Sequence, residues 1–225
     1  MSHGAIVIEG RIRVPADVFD LERFRDWAHS AEFPATGQYS YIGGDIEVDM
    51  SPEEIESHNK LKGRLFLALG VRVEADDIGE LLADRAFLVH AGAELATEPD
   101  ITFCSWDALR SGRVRYAEHT AGSARFVEVV GSPDLVVEVV SQSSVRKDNV
   151  LLRERYFRAD IPEYWIADGR GGGVALEILV RGPEGYIAVP PDADGFRRST
   201  VLGRSFRIVR ERNPVGGAAY RVHDR

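Results

Sequence analysis

One carboxylate, Glu138, stands inside DLVVEVV (134–140), the most apolar run of the chain. Read as a strand, the run puts Glu138 on one face with Asp134, Val136 and Val140, and Leu135, Val137 and Val139 on the other. A charge buried there without a partner costs several kcal/mol, so Glu138 calls for a cation. Two chemistries answer that need: a structural ion pair with an arginine, or ligation of a metal ion. EPDITF supplies a second carboxylate, Asp100, at the first position of another apolar strand and directly after the stiff Pro99. Carboxylates projected from neighbouring strands can hold Mg²⁺, which takes one or two of them and keeps several waters. Pro-Asp is equally a common strand-end turn, so Asp100 alone is open between the two readings. The pair is more specific than either member.

The elements that would carry these residues follow from patterning. An amphipathic stretch lies at 17–29, and QYSYIGGDIEVDMSP alternates around Gly43-Gly44 as a hairpin. Ser51-Pro52-Glu53-Glu54 reads as a helix start, predicting a helix over about 52–69 with Ile55, Leu61, Leu65 and Leu69 on its apolar face. Strands are expected at about 80–90, 100–105 and 134–140, with a hairpin at about 113–130 between the last two. The segment Ser141 to Ser144 opens a second helix to about 158, and IPEYWIAD is another buried strand. Further strands lie near 174–180, 185–189 and 205–209. This order predicts an α/β fold, a mixed central sheet flanked by helices with additional strands at both ends. No linker or repeat divides it, so residues 1–225 read as a single domain.

Composition narrows the function. The chain has 225 residues, 44% hydrophobic and 28% charged, as in globular proteins. Its single cysteine, Cys104, excludes an intramolecular disulfide and reads as a small core residue, so a reducing cytoplasm is the expected compartment. No signal peptide or membrane-spanning run is evident. The net charge of −8 is unevenly spread. Residues 1–57 hold twelve acids against four arginines, whereas residues 196–225 hold eight arginines against Glu211 and Asp224. That balance argues against avid, non-specific nucleic-acid binding unless a metal offsets the acidic region. The six histidines lack paired helical spacing for zinc, no P-loop or nucleophile elbow occurs, and the glycine-rich GRGGGV (169–174) lies between strands as a hairpin turn.

GGDIEVDMSP followed by His58, then EPDITF, PDLVVEVVSQSS and the stretch ending YFRADIPEYWIAD, together resemble the Uma-two family of endonucleases. That family lies within the PD-(D/E)XK restriction-endonuclease-like superfamily. The resemblance covers about residues 40–168 and implies the restriction-endonuclease-like core of helix, three strands, helix and strand. It implies Asp100 and Glu138 as ligands of Mg²⁺ or Mn²⁺, DNA as the substrate, and leaves room for a homodimer.

The chain departs from the family at the lysines. The superfamily position two residues after the glutamate is Val140, and the lysine of Uma-two relatives falls on Leu152. Lys147, in the first turn of the helix after the Glu138 strand, is the nearest substitute and could reach back to orient or deprotonate a water. It reads equally as a solvated helix-surface lysine. Arg146 and Arg153 are reserve cations. The remaining carboxylate of the superfamily pattern is sought among Asp45, Glu47 and Asp49 on one strand face and Glu56 with His58 on the following helix. Glu47 ranks first, although acids there also suit a solvated edge strand. Two functions remain: a metal-dependent endonuclease hydrolysing DNA phosphodiester bonds through Asp100, Glu138, Lys147 and Glu47, or a binding or regulatory module that keeps the nuclease fold without its chemistry.

Overall fold

The computed structural model describes residues 5–8, 12–118 and 122–225. A hairpin of β1 (Ala5–Ile8) and β2 (Ile12–Pro15) leads to helix α1 (Leu21–Ala28) and a second hairpin, β3 (Gln38–Ile42) and β4 (Asp45–Asp49). Helix α2 (Lys60–Ala75), entered through π-helical residues Ile55–Asn59, precedes β5 (Gly79–Ala83), β6 (Leu88–His90), β7 (Leu95–Thr97) and β8 (Ile101–Ser105). Helix α3 (Trp106–Ser111), β9 (Val114–Glu118), β10 (Phe126–Gly131) and β11 (Leu135–Val139) come next. A π-helical segment, Lys147–Leu152, then runs into α4 (Arg153–Arg158). The chain closes with β12 (Glu163–Asp168), β13 (Ala175–Arg181), β14 (Tyr186–Ala188), β15 (Arg197–Ser199), β16 (Arg204–Arg212) and β17 (Ala218–Asp224).

The central sheet has the order β14-β13-β12-β11-β8-β5. Within it β11 and β12 are parallel, in register from Leu135 opposite Glu163 to Val139 opposite Ala167, and the other pairs are antiparallel. Every residue of β11 is buried, and its side chains divide as strand alternation requires. Val136 and Val140 pack with Leu152 and Tyr156, while Leu135, Val137 and Val139 pack with Leu61, Leu65 and Leu69 of α2. Each fully buried aliphatic side chain contributes about 1.5–3 kcal/mol, so covering both faces stabilises a central strand that carries a charge. The parallel pair is joined by the helical segment ending in α4, the crossover that parallel strands require.

The structure departs from the patterning in four places. A second six-stranded sheet, β4-β3-β7-β6-β10-β9, packs one face against the core that holds Leu152 and Tyr156, and its other face holds α1 through Phe24 and Trp27. The apolar run at 80–90 splits between the two sheets at Asp84-Arg85, because Arg85 takes a left-handed conformation (φ 69°) that no strand can continue. Ser51 does not cap a helix: its N–H and hydroxyl both donate to Asp49, the helix begins at Ile55, and Ile55 is exposed. The basic tail is largely engaged with its own fold. Arg204 pairs with Asp76 and Asp224, Arg210 donates to the carbonyls of Gly169 and Gly173, and Arg225 bridges Asp192 and Asp194. The hairpins at Gly43-Gly44 and between β9 and β10 form as expected, as does the turn between β12 and β13, and Cys104 is buried. No helix among the described residues is long and apolar enough to cross a membrane.

Candidate active site

Strand geometry brings Asp100 and Glu138 together. β8 and β11 pair from Phe103 opposite Leu135 to Ile101 opposite Val137, so the next rung sets Asp100 against Glu138. Directly opposed side chains on one face lie about 4.5–5.5 Å apart at Cβ. Asp100 Oδ2 also accepts the N–H of Val139, the residue after Glu138, at 2.7 Å, which fixes its carboxylate at the carboxyl end of β11. Glu138 accepts one hydrogen bond, from the Tyr156 hydroxyl to Oε1 at 2.6 Å.

Two π-helical segments flank this pair, and such segments are frequent at functional sites. The first follows the turn at Ser141–Ser144, where each of those two serine hydroxyls accepts the N–H of the other residue. Its wide turn sends two successive side chains inward: Lys147 is 16% exposed and Asp148 is 2% exposed, with Nζ 3.9 Å from Asp148 Oδ1. Ser144 donates to the other Asp148 oxygen, and the Tyr164 hydroxyl donates to the Asp148 carbonyl at 2.9 Å. The second segment, Ile55–Asn59, carries His58, whose Nε2 lies 3.6 Å from Asp100 Oδ2 and whose Nδ1 lies 2.8 Å from Glu53 Oε1. One turn further along, Lys62 Nζ lies 3.4 Å from Asp100 Oδ1.

The electrostatics are those of crowded acids. Burial, and then the charges of Asp148 and Asp100, raise the Glu138 carboxyl well above its ordinary range, against the opposing pull of Lys147 and Tyr156. Burial pushes Asp148 up to about 6, although the Lys147 ammonium and the Ser144 hydroxyl oppose it. Asp100 goes the other way: burial alone would raise it, but His58, Lys62 and the Val139 N–H hold it below the ordinary carboxylate value. Burial opposes the Lys147 charge, yet Glu138, Asp148, Asp100 and Asp49 outweigh it and raise its pKa. Lys147 is therefore the buried cation on which three buried carboxylates converge electrostatically.

The expected residues fall in different places. Asp100, Glu138 and Lys147 come together. Glu47 lies on the wall of a cleft of about 290 Å³ that opens onto Lys147 between β4 and the Ser141–Ser144 turn, and its carboxylate is 3.7 Å from the exposed Arg146. Asp49, on the same strand, is the acid whose charge bears on Lys147, and it accepts hydrogen bonds from Ser51 and Ser143. Arg153 turns away and donates to the Tyr186 carbonyl, and Glu56 binds Lys60 and the Ala218 N–H. Val140 and Leu152 are buried in the core beside Tyr156. Two residues escaped the sequence reading. Asp148 sits in a charged run that looks solvated until the π-turn directs it inward, and Lys62 lies on the buried face of α2 with Leu65, Leu69 and Val73, where a lysine at apolar helical spacing is the available signal.

Among the described residues no three His, Cys, Asp or Glu side chains form a ready-made metal cage. The donor chemistry nevertheless fits a hard divalent cation that keeps most of its water, for which one or two carboxylates suffice. Asp148 Oδ1 supports that fit, because it is buried and accepts no hydrogen bond.

Comparison with known proteins bears on the fold and the family. No curated protein matches the sequence. Among solved structures, the chain is similar to one titled "putative nuclease belonging to DUF820" from Anabaena variabilis, with 18% identity and a TM-score of 0.54 over 82% of this chain and 90% of that one. At that identity the similarity establishes a shared fold. A family model described as "Uma2: Putative restriction endonuclease" matches residues 21–205, from α1 into β16. The chain belongs to the Uma2 family of nuclease-like proteins.

Proposed function

We propose that the protein is a divalent-metal-dependent endonuclease that hydrolyses DNA phosphodiester bonds. The observation that carries this reading is the buried Lys147 ammonium enclosed with Glu138, Asp148 and Asp100, a cation and an excess of carboxylates held out of water at one end of a parallel strand pair. Asp100 and Glu138 would hold Mg²⁺ or Mn²⁺. When bound, such an ion polarises the scissile phosphate and lowers the pKa of a coordinated water.

The chain's own groups supply orientation. The Val139 N–H and the Tyr156 hydroxyl each hold one oxygen of a ligand carboxylate, leaving the others to face the cation. Lys147, charged at neutral pH, is a hydrogen-bond donor: it orients the attacking water through a lone pair and neutralises charge gathering on the phosphoryl oxygens. As that water adds to phosphorus, the bond to the leaving ester oxygen would break, the water's proton passing to bulk solvent and the leaving oxygen taking one from solvent. The cleft beside Lys147, with Gln38, Asp49, Met50 and Ser143 on its walls, is the route by which a substrate would approach. A cytoplasmic protein working on DNA, alone or as a homodimer, is consistent with this chemistry.

The test is a Mg²⁺ and Mn²⁺ titration of cleavage on single-stranded, duplex and supercoiled DNA, with Glu138→Gln as the control. Metal-dependent cleavage lost in Glu138→Gln supports the proposal. Metal-dependent binding of DNA without cleavage of any form would assign the chain to the non-catalytic, binding-module reading.

A further inference from the structure

Helix α2 brings a second ammonium to one of these carboxylates, Asp100. The Lys62 side chain is 11% exposed, and its Nζ has three acidic neighbours: Asp100 Oδ1 at 3.4 Å, Asp84 Oδ2 at 2.9 Å, and Glu53 in direct contact. Only Asp100 among these belongs to the proposed ligand set. Glu53 and Asp84 are both more than one-third exposed. Glu53 precedes the π-helical residues Ile55–Asn59 and also holds His58 Nδ1, and Asp84 stands in the turn where the chain passes from β5 to β6. Asp100 Oδ2 is already engaged by Val139 and His58, so Oδ1, the oxygen beside Lys62, is the one left for a metal. A lysine ends a flexible four-carbon stem and can change partners without moving its helix.

We infer that Lys62 is a resident counter-ion of Asp100 that competes with the divalent metal, withdraws onto Asp84 and Glu53 as the metal binds, and so sets the metal concentration at which the site loads. The inference rests on the reading that Asp100 and Glu138 hold the ion. It separates the two buried lysines by role: Lys147 faces the cleft, whereas Lys62 acts through Asp100 as a positioning residue.

The experiment measures Mn²⁺ affinity of the full chain without DNA, by calorimetry or by the electron paramagnetic resonance of free Mn²⁺, with melting followed in parallel. Lys62→Met keeps the length of the stem and removes the charge; it should tighten Mn²⁺ binding about tenfold or more, since a unit charge a few ångströms away is a large term at the effective dielectric of a protein. Asp84→Asn removes a seat for the withdrawn lysine and should weaken binding several-fold in the native background. In the Lys62→Met background the same change should have little effect, because Asp84 then has no lysine to hold. An Asp84 effect of equal size in both backgrounds would mean that it acts only as a nearby negative charge, and would overturn the inference, as would unchanged or weaker binding in Lys62→Met. Should Lys62→Met fail to fold, Asp84→Asn and Glu53→Gln, both at part-exposed positions, still decide: native affinity in both sinks the idea. If neither the native chain nor Lys62→Met binds Mn²⁺, the metal reading of Asp100 and Glu138 falls first and the Lys62 inference with it. Native binding with unaltered variants removes the Lys62 inference alone.

Discussion

Glu138 and Glu163 sit on the two parallel strands of the central sheet, both buried, and they are solved in opposite ways. Glu163 accepts from the Trp165 indole and the Ser199 hydroxyl at one oxygen, and from the Thr200 N–H, the Thr200 hydroxyl and the Val201 N–H at the other. That set ties β12 to the segment entering β16 and satisfies a charge without a counter-ion. Glu138 has one neutral donor, two acids and the Lys147 ammonium for neighbours, and the acids and burial prevail. A third buried acid, Glu128, is held by Arg25 and His29, which lower it to about 2 against the effect of burial. Two of these glutamates are therefore devices of folding, and the remaining one keeps unspent capacity for a cation. An under-satisfied acid in an otherwise well-paired core is the mark of a site, since burial alone does not distinguish the three.

Substituting both glutamates should break that comparison most sharply. Glu138→Gln is expected to lower metal-dependent DNA cleavage at least 10³-fold while leaving the melting temperature unchanged or raised above pH 7, because it removes a repelled charge. Glu163→Gln should do the reverse, costing about 2–4 kcal/mol by placing an amide among donors, with cleavage per folded molecule retained. Parallel melts and cleavage assays decide, and equal destabilisation by the two would end the distinction.

Lys147→Ala comes next in size. It should reduce cleavage by about 10²- to 10³-fold, the usual cost of removing one donor aimed at charge that develops in the transition state. Because Lys147 is buried among acids, the same change should destabilise the fold at pH 8 and much less at pH 5.5, where Asp148 carries a proton. Full cleavage in this variant would transfer the role to Lys62 or Arg146.

The pH dependence of stability sharpens the same contrast. Asp148 titrates at about 6, above its ordinary value, so its protonated form is the one folding favours, and that contribution is lost as pH rises through 6. Denaturant titrations should show a fall of about 1–1.5 kcal/mol between pH 5 and pH 7.5, the part of the shift's effect that lies above pH 5, which Asp148→Asn abolishes. Glu128 acts oppositely: its stabilisation is present above the ordinary glutamate value and is lost as pH falls toward 2. The smallest expected effect concerns the surface. Replacing the exposed Arg146 should flatten the slope of log affinity against log salt for duplex DNA by about 1, whereas Arg204→Ala, already paired with Asp76 and Asp224, should leave it unchanged. Equal slopes in the two variants would remove Arg146 from DNA contact.

Much of the site can be read without coordinates where the information is local. Alternation in DLVVEVV already assigns the two faces of β11, and a glutamate in such a strand demands a partner wherever the strand lies. Gly43-Gly44 sets its hairpin, and the Leu61, Leu65 and Leu69 spacing sets the buried face of α2. What stayed hidden depends on non-local pairing or on a local departure from helical period. The run at 80–90 reads as one strand because Asp84-Arg85 is only a short charged break between two apolar stretches, and only the tertiary structure sends those stretches into different sheets through the turn at Arg85. Asp148 faces the site because a π-turn replaces the 3.6-residue period on which a helical wheel relies. Lys62 and Glu163 show the same limit from opposite sides. Each is an ordinary charged residue in sequence, and their meanings come from Asp84 and Asp100 in one case and from Ser199, Thr200 and Val201 in the other, groups that only chain folding brings within hydrogen-bonding reach.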